Sequence, residues 1–231
     1  MNTTETIVMS VGGSMIVPDE IDTNFLKSFK ELIETEIAAG KRFVIITGGG
    51  KTARKYQDAA RELGCENNEE LDWVGIAATK MNASLLRAIF HETAYFHIIN
   101  NPKEILDAPE DEKIIFATGF EPGVSTDYRS VQAAVNRKAT KVINLSNTDY
   151  VYTDDPRKNS DAEKIEDITW TEFRKLIPEE WDPGLSSPFD PIAAKLAEEK
   201  SIEVANINGT KLEEIKKYLH GEEFVGTRIH N

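Results

Sequence analysis

The sequence predicts an α/β sandwich built around a largely parallel β-sheet. Short apolar runs rich in β-branched residues alternate with longer amphipathic stretches along the 231 residues. Several of the short runs end in glycine-rich loops that lead into a predicted helix. No linker or change in composition divides the chain, so we expect residues 1–231 to form a single domain.

The predicted strands are short, apolar and bounded by turn residues. They cover residues 7–11, 43–47, 95–99, 114–118, 142–145, 203–207 and 225–229. The predicted helices carry apolar residues three and four positions apart or begin with a strong N-cap. They cover residues 22–39, 53–63, 69–92, 126–137, 169–177, 190–200 and 211–219. The stretches 100–113 and 147–167 are predicted to be irregular connections.

The composition, with 40% hydrophobic and 29% charged residues, is that of a soluble globular protein. The net charge of −13 argues against a binder of nucleic acid polymers, because phosphate backbones require a basic face. The single cysteine, Cys65, excludes an internal disulfide and favours a reducing compartment. Because we find neither a leader peptide nor a run of membrane-spanning length, we expect a cytoplasmic protein without a membrane partner.

The most informative stretch is the loop 48–52 (Gly-Gly-Gly-Lys-Thr), which lies between a predicted buried strand and a predicted helix. Glycine lets backbone N–H groups approach a ligand closely, and a helix N-terminus favours a bound phosphate. The pattern G-x-x-x-x-G-K-[ST] is not met, because its first glycine would fall on Ile45. The alternative is a glycine-rich turn without a ligand, but the cations Lys51 and Arg54 favour a phosphate site.

Two further glycine-bearing loops follow predicted strands, at 12–14 (Gly-Gly-Ser) and at 119–127. Ligands of parallel α/β sheets bind beyond the carboxyl ends of the strands, so the three loops predict one cleft that holds more than one phosphate. An alternative role for Thr126 and Asp127 is to cap a helix and compensate its dipole. The stretch 147–156 suits a purine and its ribose, because tyrosines lie among Asn and Asp residues. The alternative is a polar loop with Asx turns.

The four histidines have no metal-binding spacing and no neighbours that suggest catalysis. No H-E-x-x-H, paired-cysteine or G-x-S-x-G pattern occurs. We therefore expect neither zinc nor hydrolytic chemistry, and no metal site made of protein side chains.

Five motifs follow one another along the chain. They are Val-Gly-Gly-Ser at 11–14, Thr-Gly-Gly-Gly-Lys-Thr-Ala-Arg at 47–54, Pro-Gly-Val-Ser-Thr-Asp at 122–127, Asn-Thr-Asp-Tyr-Val-Tyr at 147–152 and Phe-Asp-Pro-Ile-Ala-Ala-Lys at 189–195. In this order they resemble the amino acid kinase superfamily, and within it the archaeal-type uridylate (UMP) kinases. The resemblance implies a three-layer α/β/α sandwich that transfers the γ-phosphoryl group of ATP, bound with Mg²⁺, to UMP. It also implies a homo-oligomer, either a dimer or a hexamer.

The resemblance assigns ligands by motif position. An N-terminal part, about residues 1–140, would bind the acceptor, and a C-terminal part, about residues 141–231, would bind ATP. The residues implied for UMP are Gly49, Asp72, Phe120, Glu121, Pro122, Gly123, Val124, Ser125 and Thr126. The residues implied for ATP are Gly13, Ser14, Gly50, Arg54, Ser146, Tyr152 and Asp155. Lys51, Arg54 and Asp127 would act in catalysis, with Asp127 at the centre.

Three residues depart from the family pattern. Ser10 stands where much of the superfamily has a lysine, Tyr150 replaces a glycine, and Glu121 places an anion near the expected acceptor phosphate. These departures leave two alternatives to UMP phosphorylation. The acceptor is another small phosphate or carboxylate, or the protein is a nucleotide-binding homologue without catalytic activity.

Overall fold

The computed structural model describes residues 5–179 and 187–231, so part of the connection between residues 177 and 190 lies outside the described residues. The described strands are β1 (Thr6–Val11), β2 (Arg42–Thr47), β3 (Ile114–Ala117), β4 (Lys141–Ser146), β5 (Val151–Tyr152), β6 (Lys164–Ile165), β7 (Asp167–Thr169), β8 (Glu203–Asn208) and β9 (Thr227–His230). The described helices are α1 (Gly13–Ile16), α2 (Thr23–Ala38), α3 (Gly50–Glu62), α4 (Asn68–Ile89), α5 (Glu104–Asp107), α6 (Thr126–Asn136), α7 (Trp170–Leu176), α8 (Pro191–Lys200) and α9 (Leu212–Leu219).

Seven strands form one sheet in the order β3-β2-β1-β4-β8-β9-β7. All neighbours are parallel except β8 and β9, which pair antiparallel. The chain moves outward from β1 to β3 and then returns to the opposite side of β1 at β4. This change of direction creates a crevice beyond the carboxyl ends of β1 and β4, where open α/β sheets bind ligands.

Helices cover both faces of the sheet because side chains alternate between the faces along each strand. On one face, Val8 and Val44 pack in a core with residues of α6 and α8. On the other face, Met9 and Ile45 pack in a second core with residues of α2, α4 and α9. The strands are therefore buried on both sides, as expected for a parallel sheet. The predicted fold class, a three-layer α/β/α sandwich, is confirmed.

The seven predicted helices and six of the seven predicted strands are present, within three residues of the expected bounds. The strand predicted at 95–99 is wrong. There the backbone pairs with the β3 region only at isolated bridges that join Ala94 to Ile114 and Ile99 to Ala117. The aromatic side chains between the bridges contact one another instead, and the rings of Phe96 and His97 lie 3.8 Å apart. The aromatic composition that predicts a strand here serves these ring contacts at the sheet edge.

The stretch 147–167 is more ordered than predicted. β5 and β6 pair antiparallel, and β7 joins the edge of the main sheet beside β9. These strands contain two or three residues each, which is too few to produce a periodic pattern. Short helices also occur in the first glycine loop (α1) and in the 100–113 connection (α5), where none was predicted.

Charged residues interrupt even the longest helix, α4, which spans 22 residues. Across the described ranges, no helix is long and apolar enough to cross a membrane.

Candidate active site

The loops that follow β1 and β2 are in direct backbone contact. A Cβ atom built on Gly13 would lie 2.3 Å from the backbone N of Gly50 and 2.5 Å from the carbonyl O of Gly48. A Cβ atom on Gly50 would lie 2.3 Å from the carbonyl C of Gly13. Gly50 also has a φ of +62°, which other residues rarely adopt. Only glycine at positions 13 and 50 allows the two loops to meet.

Buried polar side chains of α4 hold the second glycine loop. The Nδ2 of Asn82 donates a hydrogen bond to the carbonyl of Gly48 over 2.7 Å. The Oγ1 of Thr79 accepts one from the N–H of Gly119 over 3.1 Å, which links α4 to the segment after β3. Sequence reasoning missed Asn82 and Thr79. Each of them is a polar residue on the buried side of a predicted amphipathic helix, and that position is the signal that could have identified them.

The helices that begin near the carboxyl edge of the sheet include α3, α6 and α8. Ser125 caps α6 by accepting from the N–H of Tyr128 over 3.1 Å. Asp190 caps α8 by accepting from the N–H of Ala193 over 2.7 Å. The capping role considered for Thr126 and Asp127 therefore belongs to Ser125. The free N–H groups and positive dipole ends of these helices favour anions.

Asp127 connects β1, α6 and α8. Its Oδ1 accepts a hydrogen bond from the Oγ of Ser10 over 3.2 Å. Its Oδ2 accepts one from the backbone N–H of Asp190, also over 3.2 Å. Ser10 is buried in β1. At this position, where much of the superfamily has a cation, the chain has a neutral donor to the central carboxylate.

The pKa of Asp127 is raised to about 6, mainly by burial and to a smaller extent by the neighbouring charge of Asp190. The hydrogen bonds from the Asp190 N–H and from Ser10 offset only part of this effect. Burial likewise raises the pKa of Asp190. A cation beside Asp127 would stabilise the ionised carboxylate, because opposite charges lower the pKa of an acid.

A cleft of about 320 Å³ opens between the N-terminus of α3, the side of α4 and the segment after β3. We call it the α4 cleft. Seven predicted site residues line it: Gly49, Gly50, Arg54, Asp72, Glu121, Val124 and Thr126. The other predicted residues of this segment are in the described part of the chain but are not part of the lining: Phe120, Pro122, Gly123 and Ser125. The side chain of Arg54 is exposed and adds one positive charge to the lining, which also carries the carboxylates of Asp72 and Glu121.

Asp72 joins two sides of the α4 cleft. Its Oδ2 accepts a hydrogen bond from the N–H of Gly123 over 2.8 Å. Gly123 has a φ of +76°, which favours glycine at the turn. Asp72 therefore fixes the segment after β3, in addition to any contact that it makes with a ligand.

Glu121 is balanced by a buried arginine. The Nη2 of Arg129 lies 2.9 Å from Glu121 Oε1, and the Arg129 side chain is only 5% exposed. The same guanidinium donates to Gln132 over 2.8 Å and lies 5.3 Å from the centroid of the Phe120 ring. Sequence reasoning missed Arg129, because one arginine within a helix has no motif.

Lys51 pairs with Asp19 rather than with a residue of the α4 cleft. Its Nζ lies 2.8 Å from Asp19 Oδ1, and the side chains are 42% and 80% exposed. The hydrogen bond and the charge of Lys51 lower the pKa of Asp19. The catalytic role expected of Lys51 requires this exposed pair to open, and it stays a prediction.

A second cleft, of about 330 Å³, lies beyond β4 and contains both tyrosines of the 147–152 motif. We call it the tyrosine cleft. Three predicted ATP residues line it: Ser146, Tyr152 and Asp155. The rings of Tyr150 and Tyr152 meet edge to face with centroids 6.4 Å apart. Arg157 donates to both carboxylate oxygens of Asp155, over 2.9 and 3.1 Å.

The first glycine loop lies between the two clefts. Gly13 contacts the second glycine loop on one side, and a Cβ on Gly12 would lie 3.3 Å from the carbonyl O of Leu145 in β4 on the other. The predicted ATP residues Gly13 and Ser14 are thus placed where the clefts approach each other. Among residues 5–179 and 187–231, no group of three or more His, Cys, Asp or Glu side chains is arranged to hold a metal ion.

Two clefts at the carboxyl edge of a parallel sheet, joined by contacting glycine loops and helix N-termini, define an α/β protein suited to phosphorylated ligands. Residues 5–208 match the sequence model of the amino acid kinase family, and the chain belongs to that family.

Similar proteins cover almost the whole chain. A uridylate kinase of Methanobrevibacter smithii is 34% identical over 224 residues, which are 96% of this chain and 98% of that protein. One of Hyperthermus butylicus is 32% identical over 217 residues, with coverage of 94% and 95%. The crystal structure of uridylate kinase from Archaeoglobus fulgidus superposes with a TM-score of 0.83 at 32% identity, covering 96% of this chain and 99% of that one. The UMP kinase structure from Bacillus anthracis shares the fold, with a TM-score of 0.80 at 20% identity and coverage of 98% and 96%.

Proposed function

We propose that this chain is a uridylate kinase, which transfers the γ-phosphoryl group of ATP to UMP and yields UDP and ADP. The observation that carries the proposal is the contact between the Gly13 and Gly50 loops, where the two clefts approach each other. One cleft suits each nucleotide, and the phosphates of both would meet at the glycine loops. The archaeal relatives named uridylate kinase support UMP as the acceptor.

The α4 cleft, within residues 1–140, would hold UMP. Its phosphate would lie near Gly49, Arg54 and Thr126, where backbone N–H groups and a guanidinium favour an anion. The carboxylate of Asp72 would accept hydrogen bonds from the ribose or the base. Its contact with Gly123 holds it in place for this role.

The tyrosine cleft, within residues 141–231, would hold the adenosine of ATP. Tyr152 offers an aromatic face, Ser146 a hydroxyl and Asp155 an acceptor. The triphosphate would extend from there along Gly13 and Ser14 toward Gly50. This direction follows the order of the strands from β4 through β1 to β2.

The reaction needs alignment more than acid–base chemistry. The attacking atom would be an oxygen of the UMP phosphate, which is largely ionised at neutral pH because its second pKa is about 6. The chain therefore has no need of a general base, and its work is to hold two phosphates in line and to offset their repulsion. Backbone N–H groups of the glycine loops, Lys51 and Arg54 would supply that stabilisation, and Asp127 would keep these groups oriented.

Mg²⁺ would arrive with ATP and lower the charge repulsion between the phosphates. The raised pKa of Asp127 fits this ion, because the carboxylate is stabilised by a neighbouring cation. Mg²⁺ is commonly held by one or two carboxylates together with substrate phosphates.

The test is ADP release in a coupled assay with UMP, CMP, AMP and small carboxylates as acceptors. We expect turnover with UMP and none above background for Asp127→Ala. Faster turnover with another acceptor would redirect the proposal to a different substrate. Binding of ATP and UMP without transfer would indicate a nucleotide-binding homologue and overturn it.

We propose in addition that the chain forms a homo-oligomer, either a dimer or a hexamer, through the outer face of α4. Trp73 and Met81 are 45% and 64% exposed. They lie eight positions apart, with the exposed Ala77 between them, and therefore form one apolar stripe. Light scattering should give a multiple of the 25.9 kDa chain mass. Met81→Glu should lower that multiple, and a monomeric wild type would contradict this proposal.

We also propose that the enzyme acts in the cytoplasm, in pyrimidine nucleotide biosynthesis. Cys65 is a free thiol, as expected in a reducing compartment. Cell fractionation followed by the UMP assay tests the location.

A further inference from the structure

Arg129 is a buried cation on the helix that carries the central carboxylate. It lies two residues after Asp127 on α6, and its side chain is among the buried charged groups of the protein. Burying a guanidinium is unfavourable unless it is paired and hydrogen-bonded. Its partners are therefore informative about the purpose of the charge.

The guanidinium pairs with a carboxylate that lines the α4 cleft. Arg129 Nη2 lies 2.9 Å from Glu121 Oε1, while Nη1 donates to Gln132 on the same helix over 2.8 Å. The Phe120 ring lies beside the guanidinium at 5.3 Å. Arg129 therefore holds two consecutive residues of the segment after β3.

The pair also sets the charge of the cleft. Glu121 and Asp72 both line it, and a phosphate-bearing ligand there would be repelled by each carboxylate. Arg54 alone does not balance two carboxylates and a phosphate. Arg129 is not among the residues that line the cleft, so its positive charge offsets the negative charge of Glu121 without occupying the cleft.

We propose that Arg129 is a positioning residue for the phosphorylated acceptor: it fixes Glu121 and neutralises it, so that an anionic acceptor can enter the α4 cleft. The inference rests on the proposed function only for the identity of the acceptor. Glu121 is held at one end of the segment by Arg129, and Gly123 is held by Asp72 over 2.8 Å. Together these contacts keep the segment in one conformation before the acceptor binds, which lowers the entropy cost of binding.

The test compares Arg129→Met with the double variant Glu121→Gln/Arg129→Met. The single variant leaves an unpaired carboxylate at the cleft, so we expect KM for UMP to rise about tenfold with kcat and KM for ATP nearly unchanged. The double variant removes the unpaired charge, so its KM for UMP should return most of the way to the wild-type value. Raising the ionic strength from about 0.05 M to about 0.5 M should narrow the gap between Arg129→Met and the wild type.

A matched control is Arg137→Met, which removes another partly buried arginine at the end of α6. Arg137 donates to the carbonyl of Ala108 over 2.9 Å, away from both clefts. We expect KM for UMP to stay at the wild-type value in this variant. If Arg129→Met fails to fold, Arg129→Lys keeps the charge without the planar fork, and its KM for UMP should rise about threefold.

Direct titration calorimetry of UMP binding separates this inference from the proposed function. Wild type that binds UMP without turning it over would overturn the proposed activity, while the affinity of Arg129→Met would still test the inference. An unchanged affinity in Arg129→Met would overturn the inference, and so would a double variant that is no better than the single one. Absence of UMP binding to the wild type would overturn both.

Discussion

Ser10 donates a hydrogen bond from its buried hydroxyl to the Oδ1 of Asp127, over 3.2 Å. The two residues lie 117 positions apart in the chain. The contact ties the centre of the sheet to the N-terminus of α6 and places a neutral donor where a lysine is common in the superfamily. Residue 10 therefore brings no positive charge to Asp127, and burial keeps the pKa of this carboxyl above its ordinary value.

The raised pKa of Asp127 predicts a pH-dependent loss of stability. The folded-state pKa of about 6 is above the ordinary value of 3.8, so ionisation is less favourable in the folded protein. As pH rises from about 5 to about 7.5, the wild type should lose about 1 kcal/mol of unfolding free energy relative to Asp127→Asn. Urea denaturation at both pH values measures the difference. A parallel pH dependence of the two proteins would contradict the assignment.

Because the glycine loops are in contact, the addition of one methyl group at Gly13 should strongly reduce activity. Gly13→Ala would place a Cβ 2.3 Å from the backbone of Gly50, so the loops must separate. We expect UMP turnover to fall at least about a hundredfold, because misplacement near 1 Å has effects of this size. Gly12→Ala is the matched control, since its Cβ would meet no atom closer than 3.3 Å. Equal activity of the two variants would show that the contact is not required.

The pair of Lys51 and Asp19 allows the proposed catalytic role of Lys51 to be tested. Lys51→Met should lower kcat about a hundredfold with KM for UMP within about threefold, because the charge would matter most in the transition state. Asp19→Asn weakens the exposed pair at 2.8 Å but keeps the lysine. It should therefore leave kcat within about twofold of the wild type. Full turnover by Lys51→Met would remove Lys51 from the catalytic residues.

We expect Glu36 to contribute to the stability of the fold but not to catalysis. Its buried carboxylate accepts from Lys41 and lies 2.8 Å from His220 Nε2, which joins α2 to the end of α9. Glu36→Ala should lower the unfolding free energy by about 2–3 kcal/mol and leave kcat unchanged. Glu34→Ala on the same helix is the control, because its pair with Lys30 is exposed and should contribute less than about 0.5 kcal/mol.

The pKa of Glu36 adds a pH test of the same cluster. Burial by itself would raise this pKa, but the hydrogen bonds from Lys41 and His220 outweigh it, so the pKa lies below its ordinary value of 4.5. A lowered carboxyl pKa stabilises the fold above the unfolded-state value, and the benefit is lost as pH falls through the folded-state value. The stability advantage over Glu36→Gln should therefore shrink below about pH 4.5. An advantage that is constant with pH would argue against a charged Glu36.

Most elements were predictable because their signals are local. Asp22 and Asp190 cap α2 and α8 as expected, by accepting from N–H groups three residues later. The strand prediction for residues 95–99 was wrong because aromatic composition does not distinguish a strand from a sheet edge with contacting rings. β7 was missed because three residues carry no periodicity.

The candidate site shows the same difference between what local signals predict and what they miss. The glycine loops and the segment after β3 were identified from short motifs whose residues are neighbours in the chain. Sequence reasoning missed three polar side chains, those of Asn82, Thr79 and Arg129. Each forms a hydrogen bond or an ion pair with a residue elsewhere in the chain, and no sequence motif indicates that pairing. Their role depends on the burial of the donor and the position of its acceptor.

Local chemistry in the chain was thus enough for an α/β sandwich around a parallel sheet and for the glycine loops at the strand ends. Alternation of apolar residues, caps and glycine content act over a few positions and can be recognised without coordinates. Long-range packing was needed to show that Ser10 serves Asp127, that Arg129 balances Glu121, and that Lys51 lies against Asp19. The reason is physical: the partner of a charge or a buried donor is set by which elements the sheet brings together, and that is absent from any local pattern.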